Sequence, residues 1–195
     1  MAIGDTKDFL KVRIQMQSRR RRLQRNLVST KGGKGRGKKL KTLNTLSDKE
    51  RHFARSYNHM ISKKVVDFAI KNVAGVIKLE MLEGYGKEES NSFILRNWSY
   101  FELQTFIEYK AKREGMEVVK IDPYHTSQIC SQCGNYEEGQ RKERMFECKK
   151  CENKMDADYN AAINIAKSTK IVKKKEDCEY WKTRKNNPAG PTAEG

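Results

Sequence analysis

Two pairs of cysteines, each with two residues between its members, constrain this chain more than any other feature. The pairs are Cys130 with Cys133 and Cys148 with Cys151, and fourteen residues separate them. Each short turn directs two thiolates toward one point, and two such turns supply the four sulfur ligands that tetrahedral zinc prefers. Two disulfides or four unpaired thiols are the alternative interpretations. The spacing predicts a zinc ribbon, a module too small to fold without its ion.

The chain is strongly basic, with 41 Lys+Arg against 25 Asp+Glu in 195 residues and a net charge of +16. Because this charge is clustered, it predicts a polyanion partner, of which nucleic acid is the common one; a basic surface that only keeps the protein soluble is the alternative. No apolar run reaches the length of a membrane span, and no signal peptide opens the chain. We therefore expect a soluble, cytoplasmic protein without a membrane partner. Cys178 lies in a charged segment and is expected to be an incidental free thiol.

The most basic segment covers residues 1–41. Its first half carries an apolar stripe that predicts a helix, whereas residues 31–39 are rich in Gly and Lys and predict a flexible loop. Mobile positive side chains can follow the phosphates of a nucleic acid strand, and a solvated linker is the alternative. The stripe consists of Phe9, Val12, Met16, Leu23 and Leu27. The residues predicted to bind nucleic acid are Arg19, Arg20, Arg21, Arg22, Lys34 and Arg36.

Hydrophobic periodicity predicts a mixed α/β chain. Ser47 and Glu50 form a capping-box pattern, which predicts that an amphipathic helix starts at Ser47. A short buried strand is predicted over 76–82, a helix over 99–114, a second strand over 116–121 and a last helix from near Asp158. This order predicts an α/β layer with the ribbon inserted before the last helix. Residues 168–195 are polar and are predicted to form a disordered tail.

Two acids occupy positions that suit metal-dependent chemistry. Glu80 ends the first predicted strand, and Asp158 begins the last predicted helix. Carboxylates at such places can converge above a sheet edge and hold magnesium, which activates water and stabilises the leaving oxygen in phosphodiester hydrolysis. A helix cap for Asp158 and a surface charge for Glu80 are the alternatives.

From about Ser47 to Ala166, the sequence resembles the TnpB-type transposon nucleases and the miniature CRISPR type V effectors. The matching motifs, in the order that the family has them, are VIKLE (76–80), RNWSYFEL (96–103), YKAKREG (109–115), IDPYHTSQICSQCG (121–134), FECKKC (146–151) and DADYNAAINI (156–165).

This resemblance implies a partial RNase H-like (RuvC) α/β fold with an inserted four-cysteine zinc ribbon that binds target nucleic acid. It implies that Glu80 and Asp158 are the second and third catalytic acids, that the four cysteines bind zinc, and that magnesium serves catalysis. DNA and a guide RNA are the implied partners. In the ribbon, the implied contacts to DNA are Arg141, Arg144, Lys149, Lys150 and Lys154, although a ribbon that only braces the last helix remains the alternative.

The implied domains follow the same motifs. They are a basic helix and Gly/Lys loop (1–46), a RuvC-like core with the second acid (47–125), the ribbon (126–155), the final RuvC-like helix with the third acid (156–167) and the tail (168–195).

The chain departs from the family pattern in two places. The family's first catalytic acid lies on a Gly-hydrophobe-Asp-hydrophobe-Gly strand that this sequence lacks, and Asp5 and Asp8 are poor substitutes. The family also has Glu-Asp-Leu where this chain has Glu80, Met81 and Leu82. With two of three carboxylates, we expect weak magnesium binding and little or no nuclease activity from this polypeptide alone.

These observations leave three hypotheses. The first is the C-terminal part of an RNA-guided DNA endonuclease, whose site a complementing chain or a homodimer could restore. The second is a non-catalytic DNA- or RNA-binding zinc-ribbon protein derived from that family. The third is a transcription or translation accessory protein with a zinc ribbon and an unrelated fold. Whether the chain is an enzyme is left open by its residues.

Overall fold

The computed structural model describes residues 6–82, 100–179 and 182–183, apart from the side chains of residues 6–8 and 175. Its helices are α1 (Thr6–Val28), α2 (Gly33–Lys71), α3 (Tyr100–Arg113) and α4 (Ala157–Lys167), with a 3-10 turn at Lys175–Asp177. Its strands are β1 (Val76–Glu80), β2 (Glu117–Ile121), β3 (Arg141–Lys142), β4 (Met145–Glu147) and β5 (Lys154–Asp156). The chain forms two compact units, one that contains α1, α2 and α3 and one that contains the strands and α4.

The helical unit is built on the apolar faces of its helices. The stripe predicted for α1 is buried or half-buried, and Phe9 at its start is 1% exposed. The Phe9 ring lies 5.7 Å from that of Phe53 and 5.1 Å from that of Tyr57, both on α2. Phe106 and Ile107 on α3 are also buried. The predicted amphipathic helices are therefore confirmed, and aromatic contacts join α1 to α2.

The Gly/Lys segment is helical from Gly33 onward, so the prediction of a flexible loop was wrong for residues 33–39. Helix α2 begins at Gly33 and runs through this segment without a break. The Arg36 guanidinium donates to the carbonyl oxygens of Leu27 (3.0 Å) and Thr30 (2.9 Å), and the Lys39 ammonium donates to that of Asn26 (3.0 Å). Carbonyls at a helix end need such donors. These bonds help to offset the cost of about 1 kcal/mol for each helical glycine.

Glu50 does not form the predicted capping box, because α2 passes through Ser47 without starting there. Its carboxylate is buried and faces α1, where it pairs with Arg20 and lies 3.8 Å from the Arg13 guanidinium. The predicted helix start at Ser47 was therefore wrong, and the acid in the pattern joins two helices instead of capping one.

Strands β1 and β2 are parallel, and the chain between them contains α3. The register places Glu80, the last residue of β1, opposite Ile121, which is fully buried. The strand pair continues past its end, since the Met81 N–H donates to the Ile121 carbonyl (2.9 Å). Both predicted strands are confirmed, and β1 ends at the acid that the sequence singled out.

The first part of the predicted disordered tail is ordered, which corrects that prediction for residues 168–179. Ile171 forms an antiparallel bridge with Ile121, and the Glu179 N–H donates to the buried Asp122 carboxylate (2.6 Å). Cys178 is fully buried, and burial raises the pKa of its thiol to about 11. Residues 180–181 and 184–195 lie outside the described residues.

Among the helices in the described ranges, none is long and apolar enough to cross a membrane.

Candidate functional site

The ribbon is a three-stranded antiparallel sheet, in the order β3-β4-β5, flanked by two cysteine turns. The turns have the same backbone geometry. In each, the residue four positions after the first cysteine donates its N–H to that cysteine's carbonyl, from Gly134 to Cys130 (2.9 Å) and from Glu152 to Cys148 (3.0 Å). Both donors have positive φ angles, 74° and 57°. Gly134 adopts this conformation freely, whereas it is unusual for Glu152.

The four ribbon cysteines converge as the spacing predicts. Their sulfur atoms all lie within 4.8 Å of one another, with Sγ–Sγ distances of 3.7 Å for Cys130–Cys151 and 3.5 Å for Cys133–Cys148. A tetrahedral zinc ion with Zn–S bonds of about 2.3 Å requires sulfurs about 3.8 Å apart, whereas a disulfide requires about 2 Å. The arrangement therefore fits zinc, and the cysteines are not paired as disulfides.

The pKa values of these thiols also favour a bound cation. Burial raises the pKa of Cys130, but hydrogen bonds from the Cys133 and Gln132 N–H groups outweigh it and bring that pKa to about 6. For Cys151, the Asn153 N–H lowers the pKa, yet burial and the neighbouring thiols raise it to about 12. Four clustered thiols cannot all ionise unaided, and a divalent ion supplies the balancing charge.

Helix α4 holds the start of the ribbon through two asparagines. Asn160 is fully buried, accepts from the Ser131 N–H (2.9 Å) and donates to the Ile129 carbonyl (2.7 Å). Asn164 donates to the carbonyls of Ile129 (2.7 Å) and Thr126 (2.8 Å). Neither asparagine was predicted from the sequence as a functional residue. Their spacing of four, which puts both on one helix face, was the available signal.

Asp158 lies in the first turn of α4, but it does not cap that helix. Asp156 is the cap, since its carboxylate accepts from the N–H groups of Asp158 (2.9 Å) and Tyr159 (3.1 Å). The Asp158 side chain is 77% exposed, and its Oδ1 lies 3.7 Å from Nη2 of Arg141 on β3. The helix-cap alternative for Asp158 is therefore excluded, and its carboxylate is available for another role.

Glu80 lies in the same region as Asp158. Burial raises the pKa of its carboxyl; a hydrogen bond from the Thr126 hydroxyl (2.6 Å) and the charge of Arg141 lower it, while the charge of Asp158 raises it. The end of β1, the start of α4 and the ribbon thus contribute to one electrostatic environment. Within residues 6–82, 100–179 and 182–183, the cysteine cluster is the sole set of three or more metal-binding groups, so no third carboxylate joins this pair there. Asp5 and the Asp8 side chain lie outside the described part.

The basic residues predicted on the helical unit fall into two groups. Arg20 pairs with Glu50, and Arg36 holds carbonyls at the end of α1. The exposed group comprises Arg19, Arg21, Arg22 and Lys34. The helical unit therefore presents a basic surface on α1 and the start of α2.

The basic residues of the ribbon divide in the same way. Lys149 pairs with Glu137 (2.8 Å), and Lys154 pairs with Glu147 (2.8 Å). Arg141 faces Asp158, whereas Arg144 and Lys150 are exposed. Acidic residues of the ribbon therefore pair with some of the basic residues that were predicted to contact DNA.

Known proteins are similar to this chain in sequence and in fold. Residues 100–165 match the family described as Cas12f1-like, TNB domain. The CRISPR-associated endodeoxyribonuclease Cas12f1 of Sulfoacidibacillus thermotolerans is 41% identical over 167 residues, which are 84% of this chain and 38% of that protein. The TnpB-like protein MJ0751 of Methanocaldococcus jannaschii is 32% identical over 139 residues, which are 69% of this chain and 50% of that protein. This chain belongs to the TnpB and Cas12f family.

Solved structures of Cas12f share the fold. The cryo-EM structure of a Cas12f1-sgRNA-target DNA complex matches 82% of this chain and 42% of that chain, with a TM-score of 0.65 and 32% identity. A CRISPR-Cas12f ternary complex matches 86% of this chain and 34% of that chain, with a TM-score of 0.72 and 32% identity. The chain spans half or less of the length of these relatives. The predicted family and the α/β class with a four-cysteine ribbon are confirmed.

Proposed function

We propose that this chain carries two carboxylates of the catalytic site, and the nucleic-acid-binding ribbon, of a magnesium-dependent, RNA-guided DNA endonuclease. The Cas12f1 relatives are named endodeoxyribonucleases, and one matching structure contains sgRNA and target DNA. The observation that carries the proposal is the electrostatic interaction between Glu80 and Asp158, with Thr126 bound to the first acid and Arg141 beside the second. These two acids come from opposite sides of the ribbon in the sequence, yet each lies within the electrostatic reach of the other.

The surroundings of the two carboxylates suit a magnesium site. Carboxylate oxygens are the ligands that this ion prefers, and when bound it would activate water and stabilise the leaving oxygen. Thr126 holds one oxygen of Glu80, and the Arg141 guanidinium offsets the negative charge near Asp158. We infer that these two residues keep the carboxylates together although like charges repel.

We further propose that this polypeptide alone is a weak nuclease. In this proposal the site has two acids, and the described residues contain no cluster of three or more carboxylates. The loss of one ligand carboxylate normally removes most activity of a two-metal site. A homodimer or a complementing chain would restore activity by contributing the third acid. In this proposal zinc has a structural role. The cytoplasmic location remains a prediction.

A non-catalytic nucleic-acid-binding protein is the second candidate. It is favoured because the described residues contain no cluster of three or more carboxylates. The exposed basic residues of α1 and of the ribbon would then carry the function without Glu80. Binding to DNA would fall steeply with salt and would not change in the Glu80→Gln variant.

A cleavage assay separates the two candidates. The purified chain is incubated with labelled single-stranded DNA and Mg²⁺ or Mn²⁺, beside the variants Asp158→Asn and Asp156→Asn. Asn preserves the helix cap at Asp156, so that variant is the matched control. We expect weak, metal-dependent cleavage that is lost in Asp158→Asn and retained in Asp156→Asn. The absence of cleavage, with salt-dependent binding intact in both variants, would favour the binding protein.

A further inference from the structure

The Thr126 side chain contacts the Glu80 carboxylate where the chain enters the ribbon. Its hydroxyl donates to Oε1 of Glu80 at 2.6 Å, across 46 positions of sequence. Thr126 lies four residues before Cys130, in the turn (residues 123–128) through which the chain enters the ribbon, called the ribbon turn below. The bond therefore links the end of β1 to the segment that leads into the first cysteine turn.

Thr126 is held in place from its other side. Its carbonyl accepts from the Asn164 side chain (2.8 Å), and its N–H donates to the Pro123 carbonyl (3.4 Å). The same Asn164 also binds the carbonyl of Ile129, one residue before the first ligand cysteine. The position of the hydroxyl thus depends on α4 and on the cysteine turn together.

The backbone just before Thr126 is strained. His125 has a φ angle of 54°, in the left-handed region that non-glycine residues rarely adopt. Such conformations persist where surrounding contacts enforce them, and they cluster at functional sites. Here the left-handed residue immediately precedes the residue that contacts Glu80.

We propose that Thr126 is a positioning residue that couples the fold of the four-cysteine ribbon to the orientation of the Glu80 carboxylate. This inference rests on the proposed function, in which Glu80 binds a divalent cation. A ribbon without zinc would release the ribbon turn, and with it one of the contacts that fix the carboxylate. Ribbon folding would thereby be required for cation binding, and not only for contact with nucleic acid.

The test uses the full chain with ¹³C-labelled glutamate at a fixed pH of about 7.5, where carboxylates are normally ionised. The Glu80 carboxyl signal is assigned by its absence in Glu80→Gln. Thr126→Val removes the hydroxyl with little change in shape, and Thr126→Ser keeps the hydroxyl. Thr45→Val is the matched control, because the Thr45 hydroxyl donates to a helix carbonyl on α2 (2.9 Å). Zinc content is measured for each variant.

We expect Thr126→Val to move the Glu80 signal, and Thr126→Ser and Thr45→Val to leave it in place, all with zinc retained. In parallel, Mn²⁺ affinity should fall about fivefold in Thr126→Val alone, about the loss expected for one hydrogen bond. An unmoved Glu80 signal in Thr126→Val would overturn the proposal, as would a signal that Thr126→Ser moves as far as Thr126→Val does. If Thr126→Val moves the Glu80 signal but the wild-type chain binds no Mn²⁺, the proposed function would be rejected and the positioning role of Thr126 would stand.

Discussion

At the scale of single residues, the proposed chemistry depends on Glu80 at the end of β1 and on Asp158 in the first turn of α4. Their positions at a strand end and a helix start were readable from periodicity, but each had an ordinary alternative. The structure removes the alternative for Asp158, because Asp156 supplies the cap. The partners of Thr126 and Asn164 were not predictable, since Glu80 and Ile129 become their neighbours only through the fold. Local spacing encodes the cysteine turns, whereas contacts across the fold have no local signature.

The first prediction concerns the stability cost of Glu80. Burial raises its pKa above the ordinary 4.5, so the folded chain binds this proton more tightly than the unfolded chain. That contribution to stability is present below the unfolded pKa and is lost as the pH rises through the folded pKa. Glu80→Gln, which stays neutral, should therefore gain Tm relative to wild type as the pH rises from 4.5 to neutrality. The gain would be about 2–4 °C for each kcal/mol.

Thermal unfolding of both proteins at several pH values measures this gain. A Tm difference that stays constant with pH would show that the burial of Glu80 has no linked cost. A gain in stability with a loss of cation binding is the pattern expected of a functional acid.

At the scale of elements, the α1–α2 pair differs most from its prediction. Gly-rich sequence predicts a loop, yet helix α2 continues through it because Arg36 and Lys39 bind the carbonyl end of α1. The apparent capping box fails for a related reason, since Glu50 has a stronger partner in Arg20. In both cases a contact between two helices decides the outcome, and a pattern within one helix cannot report it.

The second prediction tests that contact. Glu50→Gln removes the buried carboxylate that faces the guanidiniums of Arg13 and Arg20. The loss of this charge-assisted hydrogen bond should destabilise the helical unit by about 2 kcal/mol. Asp48→Asn is the matched control, because Asp48 forms an exposed pair with Arg51 and should change stability by about 0.5 kcal/mol or less. Urea unfolding followed by helical circular dichroism gives both values. Equal effects of the two substitutions would contradict a structural role for the buried pair.

The third prediction concerns the ribbon. Wild-type protein should contain one zinc ion per chain, and Cys148→Ser should contain none, because the site needs four sulfurs. Cys178→Ser should keep its zinc, since that buried thiol lies outside the cluster. Native mass spectrometry of the three proteins measures the ion directly. Zinc that survives in Cys148→Ser, or is lost in Cys178→Ser, would reject the four-cysteine site.

At the scale of the whole molecule, the sequence predicted the class and the order of elements, and it missed order near the end of the chain. Polar composition predicted disorder from residue 168, but Ile171 pairs with Ile121 and Glu179 binds Asp122. A short apolar segment within a polar stretch orders only where a strand edge receives it, and the sequence does not state which edge that is. The ribbon, in contrast, is specified by four residues that lie close together in the chain, and its prediction is confirmed.

The fourth prediction concerns the basic surface of the helical unit. If Arg19, Arg21 and Arg22 contact phosphates of single-stranded nucleic acid, their joint replacement by Ala should weaken binding. It should also reduce the slope of log affinity against log salt by about 2. The matched control is a triple variant that replaces Lys63, Lys64 and Lys71 by Ala; these lysines are exposed in the second half of α2. Fluorescence anisotropy across a salt series separates them, and equal loss in both triples would indicate a response to net charge alone.

The central claim is that Glu80 and Asp158 bind one divalent cation together. The most direct measurement is the Mn²⁺ affinity of wild type, Glu80→Gln, Asp158→Asn and the double variant, by electron paramagnetic resonance at neutral pH. If the two carboxylates share one ion, each single variant should lose the site about as completely as the double variant does, because their effects are not additive. Wild-type affinity in either single variant, or losses that add in the double variant, would contradict a shared site.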